Sequence, residues 1–167
     1  MILKNLDKSF LINLLLIFFI FLLDRISKIY VINSDKKLFG SEIFSSKFLN
    51  INLIWNEGIA FGLFSFNENF FYNTLTIIIL IIIFIIFIMI IKSDGFKKYA
   101  LLMILGGALG NVFDRLYYKA VPDFIDFHVG NFHWFIFNVS DIFITIGVIG
   151  MILVEIIDKD KHQNEKT

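Results

Sequence analysis

Long apolar runs alternate with short charged segments along the chain. A bilayer core about 30 Å thick requires roughly 20 mostly apolar residues per helix. Four uncharged runs approach that length: residues 10–23, 70–91, 99–113 and 142–154. The first continues past Asp24 and Arg25, and residues 134–139 extend the fourth. The pattern therefore predicts four transmembrane helices, at 10–31, 70–91, 97–115 and 136–157.

Two other segments alternate between apolar and polar positions, as strands do. They are residues 48–55 and residues 124–137, the latter around a Gly130-Asn131 turn signal. They fall in the two connections predicted on the outer side, 32–69 and 116–135, and a charged tail follows at 158–167. The predicted fold class is thus a mainly α membrane protein: one domain, residues 1–167, with four transmembrane helices and a small extracytoplasmic β-sheet.

Composition supports a membrane protein and narrows the chemistry. The chain is 57% hydrophobic and contains 22 Phe, which is too apolar for a water-soluble domain. Its formal net charge is zero, and nothing suggests a nucleic-acid partner. The absence of Cys excludes disulfides and a thiol nucleophile. Because no small-x-small cleavage site follows Leu23, the first run is interpreted as a retained helix rather than a signal peptide.

Basic residues indicate the orientation. Segments 1–8, 92–98 and 158–167 hold eight Lys in 25 positions, whereas 25–70 and 115–136 hold seven Lys or Arg in 68. Positive charge is denser on the cytoplasmic side of membrane proteins. Both termini are therefore expected in the cytoplasm.

With this topology, polar residues meet at the outer end of the helices. Asp24 lies towards that end of the first helix, and the third helix ends there with Asn111, Asp114 and Arg115. The fourth helix begins there with Asn138 and Asp141, and Asp123 and Asp126 lie in the preceding link. Pairs spaced i, i+3, such as Asn111 with Asp114, share a helix face. Two polar faces at one depth predict a site.

Several of these residues also have a purely structural interpretation. Asp24 and Lys28 are spaced i, i+4 and can neutralise each other. Asp114 is expected to hold loop amides at the helix end, and the Gly106/Gly110 spacing is expected to serve close packing.

The predicted hairpin carries its own polar residues. Asp126 alternates with its neighbours and is expected to face water. His128 and His133 lack a clear third ligand, so no metal site and no cofactor are predicted.

Paired carboxylates have a specific chemistry. A carboxylate in the hydrocarbon region costs about 2.5–3.5 kcal/mol on the lenient insertion scale. Two that share one proton act as an acid and a base, which can activate water without a metal. The pattern alone leaves open which two of Asp114, Asp123, Asp126 and Asp141 form such a pair.

Five motif blocks, in order along nearly the whole chain, resemble those of the lipoprotein signal peptidase (signal peptidase II) family. They are Asp24-Arg-Ile-Ser-Lys28, Trp55-Asn-Glu-Gly-Ile-Ala-Phe-Gly62, Gly106-Gly-Ala-Leu-Gly-Asn-Val-Phe-Asp-Arg115, Val121-Pro-Asp-Phe-Ile-Asp126 and Phe137-Asn-Val-Ser-Asp141. Each block is weak by itself, but five in order are specific.

The resemblance implies an aspartic endopeptidase of the bacterial inner membrane. Such an enzyme removes the signal peptide of a prolipoprotein by cleaving before a diacylglyceryl-modified cysteine, and membrane lipid surrounds it. The resemblance places the catalytic pair on Asp123 and Asp141. It further implies four substrate-binding residues: Asn56, Asn111, Arg115 and Asn138. Asp24 and Asp114 are implied as supporting polar residues. A monomer is expected.

Two positions depart from the family pattern. Pro122 stands where a second Val is expected and removes a backbone donor. Ser140 stands where Ala is usual, and it is small enough to pack and to add a hydrogen bond. We expect both to be tolerated.

Two other classes remain as alternatives. Intramembrane aspartates also mark proton paths, which suggests a small transporter, although the acidic residues cluster at one end. A metal-dependent phosphotransferase would use several aspartates, but the spacing of Asp114, Asp123, Asp126 and Asp141 as a set is wider than that expected of residues that bind one metal ion. Cleavage of a lipidated precursor, insensitive to chelators, separates the peptidase from both.

Overall fold

The computed structural model describes residues 8–58 and 68–164, and its main elements are four long helices. Each contains a stretch long and apolar enough to cross a membrane. The predicted class, a mainly helical membrane protein with a small sheet, is confirmed. The helices are α1 (Lys8–Lys37), α2 (Glu68–Ile91), α3 (Gly95–Tyr118) and α4 (Val139–Asn164).

Helix α3 is the central helix of the bundle. Within an apolar 18-residue stretch of α3, 61% of the residues are buried, against 17% in the corresponding stretch of each of the other three helices, so those three turn most of their apolar side chains outwards. Glycines permit the close approach of its neighbours. A Cβ at Gly107 would lie 2.5 Å from the carbonyl oxygen of Ser140, and one at Gly110 would lie 2.6 Å from Asp24 Oδ2. The glycine spacing thus serves packing.

A four-stranded antiparallel sheet joins the helices. Its strands are β1 (Phe44–Ser45), β2 (Leu49–Asn56), β3 (Val121–Val129) and β4 (Phe132–Phe137), in that spatial order. The two alternating segments of the sequence form β2 and the β3–β4 hairpin, whose turn contains Gly130 at φ 60°. Strand β1 is too short to leave a pattern.

The apolar residues just before α4 belong to the sheet. Residues 134–137 are part of β4, and α4 begins at Val139 rather than at residue 136. Backbone pairing with β3 places these residues in a strand, because Phe137 pairs with Ile125 and Ile136 pairs with Asp126. An apolar run alone does not distinguish a strand from a helix.

The sheet lies at one end of the bundle. Strands β1 and β2 follow α1, β3 follows α3, and β4 leads into α4, so three helix ends meet the sheet there. Strand β3 continues through the buried Pro122 in register with Trp55. The proline therefore does not interrupt the strand that carries Asp123.

Candidate active site

Asp123 lies in β3, opposite Ile54 of β2, and is 5% exposed. Its two carboxylate oxygens accept hydrogen bonds from the side-chain amides of Asn56 (2.9 Å) and Asn138 (2.6 Å). Burial raises the pKa of Asp123 above its ordinary value, the two amides oppose that rise, and the neighbouring Asp141 carboxylate adds to it. Asp123 therefore holds a proton more readily than an exposed aspartate does.

Asp141 lies in the first turn of α4, where its carboxylate caps the helix. Its Oδ2 accepts the backbone N–H of Asn138 (3.0 Å), and Asn138 Oδ1 accepts the backbone N–H of Asp141 (3.1 Å). This reciprocal pair is a capping arrangement that satisfies amides at the helix start. Asn111 Nδ2 donates to the other oxygen of Asp141 at 2.8 Å. Both carboxylate oxygens are thus held in place.

The fully buried Asn138 connects the two aspartates. Its Nδ2 donates to Asp123, while its Oδ1 and backbone N–H are bonded to Asp141. Through these contacts the structure brings together a strand residue and a helix residue that are 18 positions apart in the sequence. Five of the eight candidate site residues meet here: Asn56, Asn111, Asp123, Asn138 and Asp141.

A compact cluster of buried charges lies beside this group. Lys28 Nζ is 2.9 Å from Asp24 Oδ1 and 2.7 Å from Asp114 Oδ2. The guanidinium of Arg25 also binds both carboxylates. Two cations offset two anions, as the burial of charge requires. Asp114 was expected to hold loop amides; that expectation is wrong, because two cations of α1 face it.

The charged cluster is joined to the candidate catalytic residues by two hydrogen bonds. Lys28 Nζ donates to Asn111 Oδ1 at 2.8 Å, and the amide nitrogen of the same Asn111 donates to Asp141. The backbone N–H of Ser140 donates to Asp24 Oδ1 at 3.0 Å. The cluster therefore fixes the start of α4. Sequence reasoning did not place Lys28 at the site, although its i, i+4 spacing from Asp24 was a signal.

Arg115 stands apart from the carboxylate pair. Its guanidinium lies 5.7 Å from the centre of the Tyr72 ring, and its carbonyl oxygen accepts the Tyr72 hydroxyl at 2.7 Å. The side chain is buried, yet Nε and one terminal nitrogen have no hydrogen-bond partner within residues 8–58 and 68–164. Gly58 is the described backbone position close to this guanidinium, and a Cβ there would lie 3.0 Å from Arg115 Nη1.

An open apolar groove of about 600 Å³ has Asp141 among its lining residues. Most of its wall consists of aromatic side chains of the β3–β4 hairpin and aliphatic side chains of α4. They include Phe127, Phe132, Trp134, Phe135, Ile142 and Ile146. A long apolar ligand in this groove would lie next to Asp141.

The hairpin also holds a separate polar group. Asp126 is buried, not water-facing as expected, and its Oδ2 lies 2.8 Å from Nδ1 of His133. The rings of His128 and His133 stack at 5.0 Å. Asp126 thereby supplies the third candidate ligand that the sequence did not reveal. Asp114 is bound by cations and Asp126 lies beside His133, so of the four candidate aspartates Asp123 and Asp141 are the two that hydrogen-bond to the same residue, Asn138.

Ser140 contributes only its backbone to these contacts. Its hydroxyl is buried without a hydrogen-bond partner among the residues described. The extra hydrogen bond that the sequence allowed is therefore not formed there.

Comparisons with known proteins agree with the motif blocks. The family model described as Signal peptidase (SPase) II matches residues 16–157. The chain is 49% identical to a lipoprotein signal peptidase of Pelagibacter ubique (strain HTCC1062), over 95% of this chain and 96% of that one. It is 37% identical to one of Anaplasma marginale (strain Florida), over 89% and 86%.

Its fold also resembles that of a solved protein. A bacterial membrane enzyme, solved by the in meso method at 2.3 Å resolution, superposes with a TM-score of 0.69 at 35% identity, over 89% of this chain and 90% of that one. Fold, motifs and relatives agree, and the predicted resemblance is confirmed. The chain belongs to the signal peptidase II family of multi-pass membrane peptidases.

Proposed function

We propose that the chain is an aspartic endopeptidase that removes the signal peptide of prolipoproteins by cleaving before a diacylglyceryl-modified cysteine. Family membership supports the peptidase activity. The single observation that supports the aspartic mechanism is that Asp123 and Asp141 hydrogen-bond to one residue, Asn138, and that Asp141 also lines the apolar groove.

The two carboxylates act as an acid and a base that share one proton. The ionised carboxylate takes a proton from water as the water attacks the scissile carbonyl. The protonated carboxylate donates its proton to the carbonyl oxygen, which gives a tetrahedral diol. As the C–N bond breaks, the proton taken from water passes to the leaving amine, and a diol hydroxyl returns a proton to the other carboxylate, so that the pair again holds one proton. The pKa of Asp123 is raised, mainly by its burial, which favours Asp123 as the carboxylate that holds the proton. Amides of Asn56, Asn111 and Asn138 keep the oxygens oriented.

The apolar groove suits the lipid and the apolar peptide of such a substrate. A signal peptide is itself an apolar helix, and its cysteine carries two acyl chains next to the cleaved bond. The aromatic walls of the groove bury apolar surface, worth about 25 cal/mol per Å² removed from water. Asp141 lines the groove and is hydrogen-bonded to Asn111 and Asn138. The lipid would thereby position the scissile bond beside the carboxylates.

Arg115 and Asn56 complete the site as donors to the peptide backbone. The scissile segment must leave its helical conformation, and lipid cannot satisfy the backbone groups that are freed. The two Arg115 nitrogens without a partner in the described part of the chain are suited to such carbonyl groups. Asn56 already donates to Asp123 and lies next to Gly58 on the same segment.

A transporter fits the geometry less well. The buried acidic groups that the structure describes lie at the sheet end of the bundle, and Arg25 and Lys28 neutralise Asp24 and Asp114. A proton path would need further titratable groups along the helices. A metal phosphotransferase is also disfavoured, because Asp114 is paired with those cations rather than available to an ion.

We further infer that both termini face the cytoplasm, that the sheet is extracytoplasmic, and that the protein functions as a monomer in the inner membrane. Of the basic residues counted on the outer side, Arg25, Lys28 and Arg115 are buried in the site. Because these three charges are buried in the protein, the excess of solvent-exposed basic residues on the inner side is larger than the counts suggest.

Product mapping tests the function. Detergent-purified protein is incubated with a synthetic prolipoprotein peptide, with or without a diacylglyceryl group on its cysteine, and the products are identified by mass spectrometry. We expect one cut, with the lipidated cysteine as the new N-terminus. Equal processing of the unmodified peptide, or a cut elsewhere, would contradict the proposal.

A further inference from the structure

We propose that Asp126, His128 and His133 form a binding site for a divalent transition-metal ion, separate from the carboxylate pair. One candidate ligand atom of each residue lies within 4.8 Å of those of the other two. The Asp126 side chain is 11% exposed and that of His133 is 51% exposed. The cluster therefore has a buried acidic side and an open side through which an ion can enter.

The hairpin fixes the relative positions of the three residues. Asp126 and His128 belong to β3, and His133 lies directly opposite His128 on β4. The tight turn at Gly130 joins the two strands. Because backbone hydrogen bonds already hold this segment, an ion need not order a flexible loop, which favours binding.

The hydrogen bonding of the histidines gives independent support. His128 Nδ1 is buried and has no hydrogen-bond partner among the described residues, although buried polar atoms are normally paired. His133 Nδ1 is 2.8 Å from Asp126 Oδ2, and one proton lies between those two atoms. An ion bound here would replace that proton and bring a partner to the unpaired His128 ring.

The ligand types select the class of metal. Two imidazoles and one carboxylate suit Zn²⁺ or Cu²⁺, whereas Mg²⁺ and Ca²⁺ prefer all-oxygen sites. With zinc–ligand bonds of about 2.0–2.2 Å, the ligand atoms of a tetrahedral site lie about 3.4 Å apart. The ligand atoms, now within 4.8 Å of one another, must therefore move together by up to about 1.4 Å, and the exposed His133 ring can make this movement. Water would occupy the remaining position.

Such an ion would tie β3 to β4 next to the groove. His128, Phe132 and Trp134 line the groove, and His133 lies between the last two in the sequence. The ion would therefore stiffen one wall of the groove without touching Asp123 or Asp141. Metal binding and peptide cleavage are distinct properties, and either can fail without the other.

Zn²⁺ titration calorimetry on the detergent-purified chain, prepared without a polyhistidine tag, tests the site. We expect one Zn²⁺ per chain and no competition from Mg²⁺. His128→Gln and His133→Gln should each weaken Zn²⁺ binding at least about tenfold, since loss of even an outer-shell partner costs that much. The remaining histidine of the sequence provides the matched control, and His162→Gln should bind as the parent does.

Electron paramagnetic resonance with Cu²⁺ gives a second result that does not depend on the variants folding. Two coordinated nitrogens are expected in the parent chain and one in His133→Gln. Melting temperatures of the metal-free proteins show which variants are folded. Absence of saturable Zn²⁺ binding, equal affinity in a folded His133→Gln variant, or fewer than two nitrogens on Cu²⁺ in the parent would overturn the proposal.

Discussion

The side-chain amide nitrogen of Asn138 donates a 2.6 Å hydrogen bond to Asp123, and the side-chain oxygen of Asn138 caps α4. A strand carboxylate and the start of a helix are thereby held by one buried residue. Asp141, one turn into that helix, is fixed by the same cap. We therefore attribute the relative position of the two proposed catalytic groups to Asn138, which contacts both of them.

Replacement of Asn138 should therefore disrupt catalysis. We expect Asn138→Ala to lower the rate of cleavage by about 100-fold or more, because a small displacement of reacting groups has effects of that size. The rate constant for a lipidated precursor, at saturating substrate, measures it. Asn131→Ala in the exposed hairpin turn is the matched control and should cleave normally. A folded Asn138→Ala protein with normal turnover would remove Asn138 from the account.

Lys28 should contribute strongly to stability. Lys28→Met leaves Asp24 and Asp114 with one cation between them, and loss of one partner from a buried ion pair costs about 3–5 kcal/mol. Thermal unfolding in detergent measures the loss, with Lys36→Met, exposed near the end of the same helix, as control. Addition of Asp114→Asn should restore part of the stability. If the double variant is no more stable than Lys28→Met alone, the charge explanation is wrong.

Replacement of Ser140, unlike that of Lys28, is not expected to lower the stability of the protein. Ser140→Ala removes a buried hydroxyl that has no partner among the described residues and keeps the backbone donor to Asp24. The free energy of unfolding should be unchanged or higher by about 1 kcal/mol. Differential scanning fluorimetry in detergent checks this. A clear fall in melting temperature would mean that the hydroxyl has a partner.

The raised pKa of Asp123 predicts a dependence of stability on pH. Burial makes the folded protein bind the Asp123 proton more tightly than the unfolded chain does. The resulting stabilisation is absent above the folded-state pKa and grows as the pH falls through that value. It is complete below the pKa of the unfolded chain. Asp123→Asn cannot titrate. As the pH is lowered from neutral towards the ordinary aspartate pKa of about 3.9, the melting temperature of the parent should rise relative to that of Asp123→Asn. A difference that is constant or reversed in sign would contradict the burial argument.

Helix positions were largely predictable from the sequence because a bilayer imposes a simple rule of length and apolarity. The β2 segment and the β3–β4 hairpin were predictable for a similar reason, since their alternation is visible. The start of α4 was not, because the apolar residues 134–137 fit a strand and a helix equally well.

The contacts of individual polar residues were less predictable. Asp114 was expected to bind loop amides but binds Arg25 and Lys28, which lie 86 or more positions away. Asp126 was expected in water but is buried beside His133. Both outcomes depend on which faces of distant elements meet, and one sequence carries no local signal for that.

Cleavage by two aspartate variants tests the central claim most directly. Purified Asp123→Asn and Asp141→Asn, with Asp94→Asn in the exposed α2–α3 connection as control, are incubated with a diacylglyceryl-modified precursor, and the released signal peptide is quantified. Melting curves confirm that each protein is folded. We expect normal cleavage by the control and none by either of the other two. Release at the parent rate by a folded Asp123→Asn or Asp141→Asn protein would contradict catalysis by a shared proton.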